Sequence, residues 1–413
     1  MNLMEKAQNI LKQPVCDHCL GRQFAQLLHG YTNEERGRLI RTAAAMAIDK
    51  GKEEARDDRK EGPVNNLEMS NFAGFEFHNL EFDRKIKRKE CAVCSNIFDN
   101  LDRWIKKIEN LSRKNQINTF LVGTKLPFEL VESEEALWER VGIDFCESIK
   151  AEISREIGKL VEKKLKLHYD IKTPDVNFIV NIAENRIDLE IKPIFIFGVY
   201  QKLKRGIPQT RWPSGKYKTS VEQIIAKPFM LASGAKRHKL HGLGREDIDA
   251  RCLGWRPFVL ELLEPKNRDL DLKKLSRKIA PIVRVNKMRF SSIAEVRKIK
   301  ETRVDKTYRI TVSCSRGITS SDIRKLKGLK SIRQKTPQRV LHRRADKFRK
   351  REVRSVKIKK ISSKKFLLEV RCEAGLYVKE LVSGDGGRTQ PSVTSILGEE
   401  CTPKDLDVIK IHL

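Results

Sequence analysis

No apolar run in this 413-residue chain is long enough to cross a bilayer, and the longest stretches, such as Ile194-Phe195-Ile196-Phe197, are only short strand-like segments. The N-terminus also lacks a positively charged segment leading into an apolar stretch, so the expectation is a cytoplasmic protein with no membrane attachment. A phosphate cradle is missing as well. Gly242-Leu243-Gly244 and Gly384-Asp385-Gly386-Gly387 complete neither Gly-x-Gly-x-x-Gly nor a phosphate loop, which disfavours enzymes built on a nucleotide cofactor. Acid is scarce too: 55 Asp and Glu face 85 Lys and Arg, leaving a net charge of +30. Such a field draws a polyphosphate and releases its counterions, so nucleic acid is the expected partner.

What is present is enough for real cores. Hydrophobic residues make up 39% and charged residues 34%, which at this length predicts two or three soluble domains. The basic excess is clustered, with seventeen Lys and Arg against three Asp and Glu over 321–360, including Leu341-His342-Arg343-Arg344. A solvated face explains a lone charge run; one set between predicted strands reads as a site for an RNA backbone.

Cysteine spacing gives a second signal. Cys16-Asp17-His18-Cys19 and Cys91-Ala92-Val93-Cys94 are two Cys-x-x-Cys pairs able to close a tetrahedral thiolate cage around structural zinc, although the gap between them exceeds that of a usual zinc ribbon. A redox pair is the rival reading, and it would need only one of them. Cys146, Cys252, Cys314, Cys372 and Cys401 are expected to be small buried residues.

Periodicity supplies the elements. Phe145, Ile149, Ile153, Ile157, Leu160, Val161 and Leu165 recur at helical spacing, predicting an amphipathic helix capped by Asp144. Residues 51–62 read as a polar loop. Alternation over Val176–Val180 and Ile187–Ile191 predicts half-buried strands, and Thr307–Val312 and Leu368–Cys372 alternate likewise. A stretch of cations, an aromatic and a proline, from Tyr200 through Lys202 and Arg205 to Trp212, suits contact with a folded nucleic acid. If 373–379 is extended, Tyr377 and Lys379 share one side.

Gly244-Arg245-Glu246-Asp247-Ile248-Asp249 offers acid where the rest of the chain offers cations. Covalent catalysis by an aspartate gives a reason for it; a plain turn is the alternative. A cation would keep a buried aspartate ionised, and Lys379 is the expected partner of Asp247.

Ordered segments then align with a known family. CDHCLGRQFA at 16–25, CAVC at 91–94, RGIPQTRW at 205–212, GREDIDARCLG at 244–254, KTYRITV at 306–312, QKTPQRVLHRRAD at 334–346 and AGLYVKELVSGDGGRTQPSV at 374–393 closely resemble the archaeal members of the tenth family of tRNA pseudouridine synthases. The resemblance implies an α+β protein: a zinc-bearing, THUMP-like α/β RNA-binding region over 1–190, then a pseudouridine synthase domain over 191–413 with a mixed, mostly antiparallel sheet. It implies Asp247 as the catalytic aspartate, Tyr308 packing on the target uracil, Tyr377 lining the pocket, Lys379 as the basic partner and Arg245 holding the everted nucleotide, while Asp249 is left without a role. Structural zinc on Cys16, Cys19, Cys91 and Cys94, no organic cofactor, tRNA as partner and a monomer complete the expectation. The implied targets are T-loop uridines, at position fifty-five and at position fifty-four. One departure is visible: Trp255 stands where the family pattern has a glycine, so an altered loop beyond the catalytic strand is expected. A non-catalytic RNA-binding protein, or another tRNA-modifying enzyme with a THUMP-like module, would be the competing reading.

Overall fold

The computed structural model describes residues 2–50, 63–80 and 85–413, so the loop expected at 51–62 lies outside the described residues. The chain divides into two compact units, Met1–Lys192 and Pro193–Leu413, against an expected boundary after residue 190.

In the first unit, strands β1 (Thr119–Lys125), β2 (His168–Tyr169), β3 (Val176–Asn181) and β4 (Arg186–Ile191) form a sheet in the order β2-β1-β3-β4. Pairing of β1 with β2 and β3 is parallel, and β3 with β4 antiparallel. The helix Ile149–Leu165 covers this sheet, burying Ile149, Ile153, Ile157 and Val161 in one core with Phe120, Phe178 and Val180. That is the expected apolar stripe. Its cap differs from the expected one: Ser148, not Asp144, accepts the N–H of Ala151 at 3.2 Å. Phe145 has a φ of +66°, a left-handed conformation that stops a helix from starting earlier.

The second unit is built on strands β5 (Ile194–Lys202), β6 (Arg237–Gly242), β7 (Arg251–Leu263), β8 (Val283–Ser291), β9 (Lys306–Cys314), β10 (Ser331–Lys335), β11 (Phe348–Lys360), β12 (Lys365–Cys372), β13 (Thr389–Gln390) and β14 (Cys401–Ile411). Their order is β13-β10-β11-β12-β9-β14-β7-β5-β8, with β6 on β7. Among the described pairs of this second sheet only β14 and β7, joined at Asp407↔Arg251 and Val408↔Cys252, run parallel. The sheet is therefore mixed and mostly antiparallel. One core sets the helix Val221–Ser233 with Tyr200, Phe258 and Leu260, and another joins Ile310, Val312, Phe366 and Leu368 to the helix Val378–Ser383 through Leu381 and Val382.

Three local expectations change. Residues 373–379 are not one extended run: Gly375 turns at a φ of +92° and Tyr377 caps the helix Val378–Ser383. The backbone of Tyr377 is held there by Gln334, whose Oε1 accepts at 2.8 Å and whose Nε2 donates at 3.0 Å. Trp255 lies inside β7 rather than in a loop, at an irregularity where the β5–β7 register shifts between the pairs Tyr200↔Arg256 and Lys202↔Cys252. Cys314 and Cys401 are disulfide-bonded across the β9–β14 pair, and Cys146 is only half-buried; Cys252 and Cys372 are buried thiols as expected.

Candidate active site

The loop Leu243–Ala250 connects β6 to β7, and its adjacent acids Glu246 and Asp247 meet opposite fates. Gly244 opens the turn at a φ of +71°, where an added Cβ would come within 3.3 Å of Lys306 Nζ. Glu246 turns inward and is buried. There the hydroxyl of Tyr200 donates to it at 3.0 Å, and Arg256 Nε lies 3.0 Å away, off the axis of a hydrogen bond. Arg256 Nη1 donates to the carbonyl of Leu243 at 2.7 Å, and Gln209 Nε2 to that of Gly244 at 3.0 Å. Burial, then the charge of Glu246, push the Tyr200 hydroxyl well up, so it stays a neutral donor.

Asp247 turns the other way, into a cleft of about 1000 Å³. Its Oδ2 stands 3.3 Å from Arg339 Nη2 and 3.5 Å from Lys379 Nζ. Tyr308 from β9 and Tyr377 line the same cleft, with Arg245 exposed beside them. Burial pushes the Tyr308 hydroxyl up, so that ring too is neutral. All five residues to which the resemblance gave a role in the second half of the sequence thus line one cleft. Around them Arg343, Arg344, Arg349 and Arg351 supply the cationic wall expected from the 321–360 run.

Several contributors were not singled out in the sequence. Arg339 carries a bridge from Asp247 to the buried Glu380, with Nε donating to Glu380 Oε1 at 2.6 Å, and its guanidinium lies 5.9 Å from the Tyr377 ring centre. In the sequence it stood in the basic run and in the segment QKTPQRVLHRRAD at 334–346, with no role assigned to it. Lys202, noted as one of several cations, is buried and donates to the carbonyls of Ile207, Asp247 and Ile248 at 2.9, 3.0 and 3.2 Å. Burial pulls its ammonium below the ordinary lysine value, while Glu246 at 3.9 Å works against that.

In the first unit, the sulfurs of Cys16, Cys19, Cys91 and Cys94 all lie within 4.8 Å of one another. The Cys16 and Cys94 sulfurs are 3.5 Å apart, close to the separation of about 3.8 Å that a tetrahedron with metal–sulfur bonds of about 2.3 Å requires. Buried Arg22 donates Nη1 to Cys19 Sγ at 2.9 Å, and the N–H of Cys16 points at Cys91 Sγ at 3.3 Å. Hydrogen bonds from Cys16, Cys19 and Cys94 hold the Cys91 thiol far down, while burial holds Cys19 up. The cluster could bind a metal ion such as zinc.

Comparison with known proteins accords with this architecture. Residues 195–412 match the family described as Pus10, C-terminal, and residues 104–181 match the Pus10 THUMP domain, archaeal. The cysteine pairs lie N-terminal to that second match. The chain is 41% identical to tRNA pseudouridine synthase Pus10 of Methanocaldococcus jannaschii over 97% of this chain and 92% of that one. It is 37% identical to the Pus10 enzymes of Methanopyrus kandleri, over 96% and 95% of the two chains, and of Pyrococcus furiosus, over 99% and 98%. The class so defined is the pseudouridine synthases, which are isomerases. Within it, the chain belongs to the Pus10 family of tRNA pseudouridine synthases. None of the described helices is long and apolar enough to cross a membrane.

Proposed function

We propose that this protein converts uridine to pseudouridine in the T-loop of tRNA, at position fifty-five and also at fifty-four, with Asp247 as the catalytic group. The observation that carries the reading is the carboxylate of Asp247, flanked by Arg339 and Lys379 in a cleft that also holds Tyr308 and Tyr377. The bond from ribose C1′ to N1 of the uracil breaks, the base turns over in the cleft, and C1′ is rejoined through C5, which gives up its proton to solvent while N1 takes one up. Asp247 serves this either as nucleophile at C1′ or as the base that generates a glycal. Both routes need its carboxylate, and two cations stand beside it.

A target base must leave its stack, at a cost of a few kcal/mol, and an aromatic wall offsets that cost. Tyr308 and Tyr377 are assigned to it, and Arg245 to the everted nucleotide. Lys379 and Arg339 are assigned to pairing with that acid. The first unit, with zinc on its four cysteines, is read as a grip on a distant part of the tRNA that sets which uridine reaches Asp247. The protein acts as a monomer without an organic cofactor in this reading.

The test is tritium release from tRNA labelled at uracil C5. Asp247→Asn and Asp247→Ala should release none while binding tRNA as the wild type does; full release by either variant rejects the assignment. Primer-extension mapping on transcribed tRNA reads the modified positions.

A further inference from the structure

Two residues beyond Asp247 stands a second carboxylate that the proposed chemistry leaves unemployed. Asp249 is exposed at the cleft, in a protein whose charge draws phosphate. An acid there repels the substrate backbone, so on electrostatic grounds alone it costs affinity. Its contacts supply a compensating task. Lys379 Nζ donates to Asp249 Oδ1 at 2.8 Å and Oδ2 at 2.6 Å, yet stays 3.5 Å from Asp247 Oδ2. The ammonium is thus hydrogen-bonded to the second acid and reaches the first mainly through charge.

The backbone beneath Asp249 is pinned. Its carbonyl accepts from Arg205 Nη1 at 2.9 Å, and Arg205 Nη2 is anchored 2.6 Å from Asp407 Oδ1. The carbonyl before it, of Ile248, accepts from the N–H of Gly206 at 2.9 Å and from Lys202 at 3.2 Å. Asp249 therefore presents its carboxylate from a fixed platform. Lysine, by contrast, carries its charge on a flexible four-carbon stem and loses considerable rotamer freedom when held. Left unrestrained beside RNA, such an ammonium pairs with the nearest phosphate.

We infer that Asp249 is a positioning residue, which holds the Lys379 ammonium within reach of Asp247 and away from the phosphates of the substrate. This rests on the reading of Asp247 as the catalytic acid. The charged groups facing the pair are Asp247 on the same loop and Arg339 across the cleft. Burial would raise the Asp249 carboxyl, but the Lys379 hydrogen bond and charge take it below the ordinary value, so the pair persists at neutral pH.

Single-turnover tritium release and tRNA dissociation constants for Asp249→Asn, Asp249→Glu, Lys379→Met and the double variant Asp249→Asn/Lys379→Met decide it. Asp249→Asn should slow the chemical step by about tenfold while tRNA binds as well as before or more tightly, and Asp249→Glu should recover most of the rate. In the Lys379→Met background, Asp249→Asn should add no further loss, because the residue acts through that lysine. Losses that multiply in the double variant, a rate within about twofold of wild type for Asp249→Asn, or a fall in affinity matching the fall in rate would each overturn the inference. If Lys379→Met is too slow to follow, the glutamate variant decides alone: recovery supports the role, and failure to recover overturns it. Wild-type rates in Asp249→Asn beside an inactive Asp247→Asn would sink this inference and leave the proposed function standing; activity in Asp247→Asn would remove both.

Discussion

The ammonium of Lys202, buried inside the second unit, lies 3.0 Å from the carbonyl oxygen of Asp247. It also serves the carbonyls of Ile207 and Ile248, so one side chain satisfies three backbone acceptors and fixes the loop that carries the acid. Asp247 itself is left free to face the cleft. Lys202→Met would leave the carbonyls of Ile207 and Asp247 without this donor, while Ile248 keeps the Gly206 N–H and Glu246 keeps Arg256, a loss of about 3 kcal/mol by the usual cost of orphaned buried groups. Chemical denaturation should show the lowered midpoint, and tritium release at a temperature where the variant is folded should still be slowed. An unchanged midpoint would show that the loop does not depend on this lysine.

Arg339 joins an exposed task to a buried one, since its guanidinium reaches both Asp247 and the buried Glu380. Arg339→Met should therefore lose stability, because Glu380 keeps a charge without its partner, and should lose turnover, because Asp247 has one cation fewer. The double variant Arg339→Met/Glu380→Gln separates these effects: its thermal midpoint should recover most of the loss, while turnover stays depressed by about tenfold or more. Recovery of turnover along with stability would reduce Arg339 to a structural role.

These two residues also mark where sequence reading stops. Period-two alternation disclosed β3, β4, β9 and β12, because each strand turns one apolar face to a core, and the Cys-x-x-Cys spacing disclosed the sulfur cluster. Asp247, Tyr308 and Tyr377 were legible through ordered motifs that resemble a family. Lys202 and Arg339 were not, since a buried lysine under a loop and a surface lysine look alike in sequence, and their partners come from distant segments. The cap at Ser148 was missed because Asp144 is an equally good capping residue; the left-handed Phe145 between them decides. Glu246 and Asp247 are adjacent acids, and only the buried Tyr200 and Arg256 tell which one faces inward.

Acid should reveal the anchor behind the loop. Asp407 accepts from Arg251 at 2.9 and 2.6 Å and from Arg205 at 2.6 Å. Burial raises its carboxyl, but the hydrogen bond from Arg251 and the charge of Arg205 carry it below the ordinary value. With the folded value depressed, the unfolded chain binds the proton first; the stability from Asp407 is complete above the unfolded carboxyl value of about 4 and is lost as pH falls through the folded value. Thermal melts of wild type and Asp407→Asn should thus differ most near neutral pH and converge as the medium is acidified below about 4. A gap of equal size at both ends would mean that the charge of Asp407 contributes nothing.

The sulfur cluster yields the last prediction, which concerns the first unit alone. If Cys16, Cys19, Cys91 and Cys94 hold zinc, the ion ties the helix Asp17–Gly21 to the turn at Cys91–Cys94 across a long stretch of intervening chain. Closing so long a loop gives the metal a large share in the order of the N-terminal segment, while the cores of the second unit contain none of these residues. Elemental analysis of protein purified without chelator should find one zinc per chain. Prolonged chelation, or Cys91→Ser with Cys94→Ser, should remove it and raise amide exchange around Cys16–Phe24, leaving exchange in β7, β9 and β14 unchanged. Arg22 adds a sharper sign, because it donates to Cys19 from a buried position: Arg22→Met should weaken zinc retention against a competing chelator by about tenfold, the usual effect of losing a partner that orients a ligand. Protein free of metal from the outset, with the same exchange pattern as the wild type, would show that the four sulfurs pack together without an ion.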